Sequence, residues 1–352
     1  MTEEQPAATD SEPPLEPTAP ESYRIELRGF DTEESAHSFA NLLRIYIREL
    51  SRHIDMERLD GITVAYDYKE ALAGLDRGFE TSRALTPTEE SFGIGVAMTP
   101  AVMREGVVKS HIVFSAGIIR ILENHDHEYH KDSLYLVAHE CGHVHDQKYR
   151  DLAFPGVLLR KKAASYEQDV FQQIVQACWD EYAACRLSAG FATDGVIKGH
   201  EDTLLHRLEN TRTEASEAIK AYRMHGDVQR LLIEAAGRYG DLMKFSSYFL
   251  GDLHGRGETI LTAPRIAEVI AGHWFEPYFH RLSDAMEGLA SNYGKWIDLK
   301  EFDVIAEVAR DVFVEGGLLL STQKSGQLYV GVPYTPETLP DEDWIAQWSL
   351  KT

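Results

Sequence analysis

Cysteine is scarce: three residues in 352, at Cys141, Cys178 and Cys185. None stands in a CxxC or an evenly spaced framework, which excludes a disulfide scaffold and predicts reduced thiols in a cytoplasmic protein. Positive charge is scarce too, with 35 Lys and Arg against 57 Asp and Glu for a net charge of −22. Phosphate backbones and anionic bilayers would meet net repulsion, so neither nucleic acid nor membrane is an expected partner. Long apolar runs are missing: Ile112 to Leu122 is too short to span a bilayer and contains Arg120. The chain opens on acidic and polar residues, so no secretory signal is expected. What is there is ordinary globular composition, 43% hydrophobic and 26% charged.

Residues 1–22 hold five prolines, six acidic residues, no Lys or Arg and one large aliphatic, Leu15. Such a stretch buries too little to offset ordering its backbone and is expected as a disordered acidic tail. Tyr23 to Phe30 alternates like a strand. Asp31 and Glu34 form a capping box for a helix to about Ile54, whose apolar stripe is Phe39, Leu42, Leu43, Tyr46, Ile47 and Leu50. Strands are predicted at Ile62 to Tyr66, Ser91 to Met98 and Val107 to Phe114. A helix capped by Asp132 or Ser133 runs to about Arg150, and another from Glu167 to Ser188. Beyond residue 190 the pattern is mainly helical, at roughly 201–225, 227–250, 264–290 and 300–315, and a hairpin follows around Lys324-Ser325-Gly326. The predicted fold class is α+β: a mixed domain at 23–190, then a mainly α-helical C-terminal domain at 191–352.

Six of the fifteen histidines, at 125, 127, 130, 139, 143 and 145, fall within 21 positions, where uniform scatter would place about one. Among them is His139-Glu140-Cys141-Gly142-His143, the HExxH pattern, on a segment that reads as helix. Positions i and i+4 project side by side, so two imidazoles can hold one zinc ion. Glu140 points to a neighbouring angle, where its carboxylate can take a proton from a water that the zinc has brought towards a pKa of about 7. That is the hydrolytic core of a zinc peptidase. Cys141 shares an apolar stripe with Leu134, Val137 and Val144 and is expected to be a packing thiol. Gly142 costs a helix about 1 kcal/mol relative to Ala, which points to close approach of a substrate or of a packed helix.

A catalytic zinc usually has three protein ligands. The sixth residue after His143 is Tyr149, not the His of a metzincin, and Gly190 to Asp194 only loosely echoes an aspzincin motif. The segment Trp179 to Cys185 offers Asp180 and Glu181. Phe171, Ile174, Cys178, Glu181 and Cys185 follow 3-4-3-4 spacing, which sets Glu181 inside an apolar stripe where it needs a cation, while Asp180 lies about 100° away. Pairing of a buried Glu181 with Arg186 or another base is the structural alternative.

HECGH on one helix followed by EYAACRLSA on the next resembles the gluzincin metallopeptidases, most nearly their ImmA/IrrE-like branch, over residues 60–190. The resemblance implies a zincin-like catalytic domain with a small mixed sheet and two ligand helices beneath an extended-substrate cleft. It makes His139, His143 and Glu181 the zinc ligands and Glu140 the general base. Cys185 stands where many gluzincins have an Asp that orients a ligand histidine. Asp146, on the same face as His139 and His143, is a candidate substitute. In zincin-like enzymes an edge strand pairs with the substrate backbone; Ser91 to Met98 or Lys109 to Phe114 would be that strand.

The loop from His125 to His130 reads as a solvated turn with metal-ligand residue types, and His145 as a surface residue. An oxyanion donor is sought among Tyr248, His254, Arg256, His273, Tyr278 and His280. The expectation is a cytoplasmic Zn2+-dependent metallopeptidase acting on a protein or peptide. The alternatives are a catalytically silent zinc-binding regulatory or interaction protein and a non-peptide amidase.

Overall fold

In the computed structural model, residues 15–81, 84–87, 89–90, 93–159 and 162–339 are described. The chain order is β1 (Arg24–Arg28), α1 (Glu33–Leu50), β2 (Leu59–Ala65), α2 (Tyr68–Ala73), β3 (Glu89–Glu90), β4 (Gly93–Ile94), β5 (Ala97–Met98), β6 (Ala101–Arg104), β7 (Val107–Ser115), α3 (Ala116–Ile119), α4 (His130–Ala153) and α5 (Tyr166–Ser188). There follow α6 (Asp194–His225), α7 (Val228–Leu231), α8 (Gly237–Gly255), α9 (Pro264–Ile270), α10 (Glu276–Ser291), α11 (Asp303–Glu315), β8 (Leu319–Thr322) and β9 (Leu328–Gly331). It is a mixed α/β chain with a small mixed sheet and a helical C-terminal region.

Strands β1, β2 and β7 pair in parallel, with Arg24 opposite Gly61 and Ile62 opposite Ile112. Along the far side of β7 lies one broken edge, β5 then β6, both antiparallel to it. Period-2 alternation divides the faces. Ile62, Val64, Ile112 and Phe114 pack under α1 and α4, whereas Ala65 and Val113 meet Tyr68, Ala71 and Leu72 of α2. From α1 the buried side chains are Phe39, Leu43, Ile47 and Leu50; from α4 they are Val137, Ala138, Cys141 and Val144. A second apolar core is mainly helical, built from Phe171, Ile174, Cys178, Trp179 and Tyr182 of α5 with residues of α6, α8, α9, α10 and α11, and the β8–β9 hairpin packs against it through Leu320, Leu328 and Val330.

Several boundaries differ from expectation for local reasons. Helix α1 is capped by Thr32, whose hydroxyl accepts from Ser35 N, and not by Asp31. Asp132 does not cap α4; it accepts from the Thr193 hydroxyl at 2.5 Å and ties the start of α4 to the N-cap of α6. The stretch 264–290 is two helices, interrupted by the turn at Ala271 to Trp274. Residues 15–22, assigned to the acidic tail, include a docked strap: Thr18 Oγ1 donates to Ser51 O at 2.8 Å and accepts from Met56 N at 2.9 Å. Residues 1–14 lie outside the described residues, as do Ser91 and Phe92 of the strand predicted at 91–98. Among the described residues, no helix is long and apolar enough to cross a membrane.

Candidate metal centre

Helix α4 lies against the sheet through Cys141 and Val144, and α5 belongs to the helical core. The two helices meet where neither has a bulky side chain. A Cβ at Gly142 would stand 2.9 Å from Ala184 Cα and 3.0 Å from Ala184 O. Of the two explanations the sequence allowed for Gly142, a packed helix is the one observed. Helix α8 crosses the other side of α5 in the same way, since a Cβ at Gly251 would come within 2.4 Å of Tyr182 O.

This stacking brings the predicted ligands together. Glu181 Oε2 lies 3.3 Å from His139 Nε2 and 3.5 Å from His143 Nε2. The three donor atoms fall within 4.8 Å of one another. Glu181 Oε2 is buried and finds no aligned hydrogen-bond donor. Donors placed at about 2.0–2.2 Å around a tetrahedral zinc are themselves separated by roughly 3.3–3.6 Å. The orphaned carboxylate oxygen stands at that spacing from each imidazole nitrogen, and the two nitrogens lie within 4.8 Å of each other, so this donor set fits the ion. Burial works against the charge of Glu181, but the two imidazoles beside it hold its carboxyl well below the usual range. Burial likewise opposes charge on His143, and Glu181, with help from Glu140 and Asp180, raises it to about 9. Asp180 faces away, to Arg150 Nη2 at 2.7 Å, and burial lifts its carboxyl to about 6 against that cation's pull. Arg186 reaches the Tyr182 hydroxyl, not Glu181.

Glu140 is 4% exposed, and the Thr99 hydroxyl donates to its Oε2 at 2.5 Å. Thr99 sits at the break between β5 and β6. Gln147 of α4 holds it there, donating to Thr99 O at 2.8 Å while accepting from Ser110 of β7 at 2.7 Å. The edge strand is thus clipped to the helix that carries the motif. The edge next to the site is Ala97–Met98, which overlaps one of the two predicted candidates; Lys109 to Phe114 is corrected, because β7 has neighbours on both sides.

Asp146 is corrected as the histidine-orienting residue. It is fully buried, accepts from Trp179 Nε1 at 3.0 Å and Tyr293 Oη at 2.9 Å, and pairs with Arg150 at 2.6 Å, touching neither ligand ring. The atom beside His139 Nδ1 is Cys185 Sγ, at 3.7 Å, and the Tyr135 hydroxyl donates to that sulfur at 3.7 Å. His145 is also corrected: its Nδ1 accepts from Asp55 N at 2.9 Å and its ring stacks on Tyr149, so it is half-buried and bonded, not a free surface side chain.

The triad lies in a cleft of about 400 Å³ lined by Gly95, Met98, Thr99 and Gln147 on one part and by Asp180, Thr203, Lys244, Phe245 and Tyr248 on others. Of the six oxyanion candidates Tyr248 alone lines it, its ring stacked on His139 with centroids 5.8 Å apart. Burial, with the negative charge of Glu181, keeps the Tyr248 hydroxyl protonated well above its ordinary range. His254 is instead bonded to Tyr182 and Ser283 inside the helical core. Among the described residues no second group of three metal-ligating side chains converges, and the His125 to His130 loop holds none.

No protein-family model, no curated protein and no solved structure matches this chain. Residues that spacing did not single out are Thr99, Gln147, Tyr135 and Lys244. Thr99 carried a faint signal, a hydroxyl beside Pro100 at the end of a predicted strand. Tyr135 and Gln147 stand four residues before His139 and four after His143 on α4, so helical spacing puts them on the ligand face, but their partners Cys185, Thr99 and Ser110 come from other segments; Lys244 reaches the cleft on the distant helix α8.

Proposed function

We propose that the chain is a zinc-dependent peptidase of gluzincin type, with His139, His143 and Glu181 as ligands and Glu140 as general base. The observation that carries this reading is the buried, undonated Glu181 Oε2 facing two imidazole nitrogens at 3.3 and 3.5 Å in a cleft that Glu140 also lines. When bound, zinc supplies a Lewis acid that polarises the scissile carbonyl and lowers the pKa of water. Glu140, oriented by Thr99, takes a proton from the attacking water and passes it to the leaving nitrogen. Tyr248 Oη, protonated over the working pH range, donates a hydrogen bond to the carbonyl oxygen as it gains charge. Among the described residues no strand pairs with the outer edge of β5, at the margin of the cleft, so that edge would be open to an extended peptide.

The silent zinc-binding alternative calls for a fourth protein ligand that closes the site. Among the described residues three side chains converge, on the wall of an open cleft, which favours the enzyme. The test is elemental analysis together with cleavage of a mixed peptide pool. About one zinc per chain is expected in the wild type and in Glu140→Gln, with turnover at least about a hundredfold lower in the variant. Normal cleavage by Glu140→Gln would overturn the mechanism.

A further inference from the structure

The walls of the cleft carry three carboxylates and one Lys or Arg side chain, Lys244. Each carboxylate has its own business: Glu181 faces the two histidines, Asp180 is paired with Arg150, and Glu140 accepts from Thr99. Lys244 has no such counterpart. Among the described residues no carboxylate lies within ion-pair distance of its Nζ, whose contact is the face of Phe245 at 5.0 Å. An ammonium beside an aromatic ring at the wall of a cleft, with no carboxylate of its own in a protein of net charge −22, is available to pair with an anion from outside.

Its position says where that anion sits. Lys244 and Tyr248 are separated by four residues of α8, so both project from one face, about 6 Å apart along the axis. Tyr248 stacks on the ligand His139. An extended peptide advances about 3.3 Å per residue, so 6 Å corresponds to roughly two residues. We infer that Lys244 selects peptides carrying a carboxylate within about two residues of the scissile bond, either an Asp or Glu side chain or the free C-terminus. This rests on the peptidase reading for the placement of the bond, and it adds the substrate class: acidic peptides, or peptides cut near their C-terminal end.

The experiment separates the two readings by measuring binding apart from turnover. Labelled octapeptides of Ala and Val, each with one Glu or one Gln scanned through the sequence and each with a free or amidated C-terminus, are titrated against zinc-loaded Glu140→Gln by fluorescence anisotropy. Glu at one or two positions should bind about tenfold more tightly than Gln there, equivalent to about 1.4 kcal/mol. If the terminal carboxylate is the anchor, the preference follows the free end instead of the Glu position. Adding Lys244→Gln should erase the preference, and adding Lys244→Glu should transfer it to peptides with Lys at the same position, a reversal that mere loss of packing on Phe245 does not produce. Equal binding of Glu, Gln, free and amidated peptides, no binding by any acidic peptide, or a preference that survives Lys244→Gln would overturn the inference. Failure of wild-type zinc protein to cleave peptides that bind with this preference would overturn the peptidase reading and leave Lys244 as an anion anchor.

Discussion

The two helices that meet at the candidate metal centre belong to different cores, and their contributions differ in kind. Helix α4 packs on the sheet through Cys141 and Val144 and offers His139 and His143 by helical spacing alone. Helix α5 is part of the helical core and offers Glu181 only because α4 and α8 lie close on either side of it, at Gly142 and Gly251. One half of the site is therefore local geometry, and the other is a product of packing between distant segments. Mutations that act on the packing should damage the Glu half and leave the His half's spacing intact.

The sharpest comparison is between neighbours on α5. Glu181→Ala should weaken zinc binding by at least about a hundredfold, more than loss of an outer hydrogen-bond partner usually does, while Asp180→Ala keeps the metal because its side chain faces Arg150. Chelator competition on both variants measures this, and the reverse pattern would show that α5 is read in the wrong phase. Next in size is Gly142→Ala. The added Cβ meets Ala184 backbone at 2.9 Å, so the helices must separate at a cost of about 1–3 kcal/mol. Urea denaturation should record that loss, and zinc affinity should fall with it; a variant as stable as wild type would mean that the helix crossing yields easily.

A smaller effect is expected at the edge strand. Thr99→Val removes the hydroxyl from Glu140 without emptying its place, and kcat should fall about tenfold with zinc content unchanged, as for loss of a hydrogen bond to a charged group. Unchanged kcat would show that Glu140 needs no such support.

The smallest effect is in the pH dependence of the metal-free protein. His143 is raised from 6.5 to about 9, so its contribution to stability is complete below about pH 6.5 and disappears as pH rises through 9. Glu181 is held below its ordinary 4.5, so its contribution is complete above that value and disappears as pH falls through its lowered pKa. Chelator-treated wild type should therefore lead Glu181→Gln in stability by most near pH 5–6 and by less at pH 9.5. A gap that widens with pH would contradict the pairing.

What could be read from the sequence follows the same division. The HExxH spacing, the buried stripe of α1 and the phase of α5 are properties of one helix at a time, and periodicity reports them. Thr99, Lys244 and the Tyr135–Cys185–His139 contacts each depend on which segments become neighbours, for which a single sequence carries little signal. Asp146 departs from expectation for that reason: it shares the face of α4 that carries His139 and His143, but Trp179 and Tyr293 arrive from other segments and claim it. The turn at Ala271 to Trp274 escaped because Ile266, Ile270, Phe275 and Phe279 keep helix-like spacing across it, all buried in one core.

The broken edge of the sheet has a consequence beyond orienting Glu140. An unpaired strand next to a cleft is a template on which other chains can stack and aggregate. Here that edge is only two residues, then a gap at Thr99 and Pro100, then four more whose outer side Arg77 already covers, its carbonyl accepting from Met103 N at 2.8 Å and its Nε donating to Ala101 O at 3.2 Å. Pro100 has no N–H to offer, and its carbonyl is already taken by His111 N at 3.0 Å. A few residues of visiting peptide can align with Ala97 and Met98, but a long strand finds its ladder interrupted. The interruption that presents Thr99 to Glu140, the proposed general base, thus also limits how much of a foreign chain the edge could hold: room for a short guest, none for a long ladder.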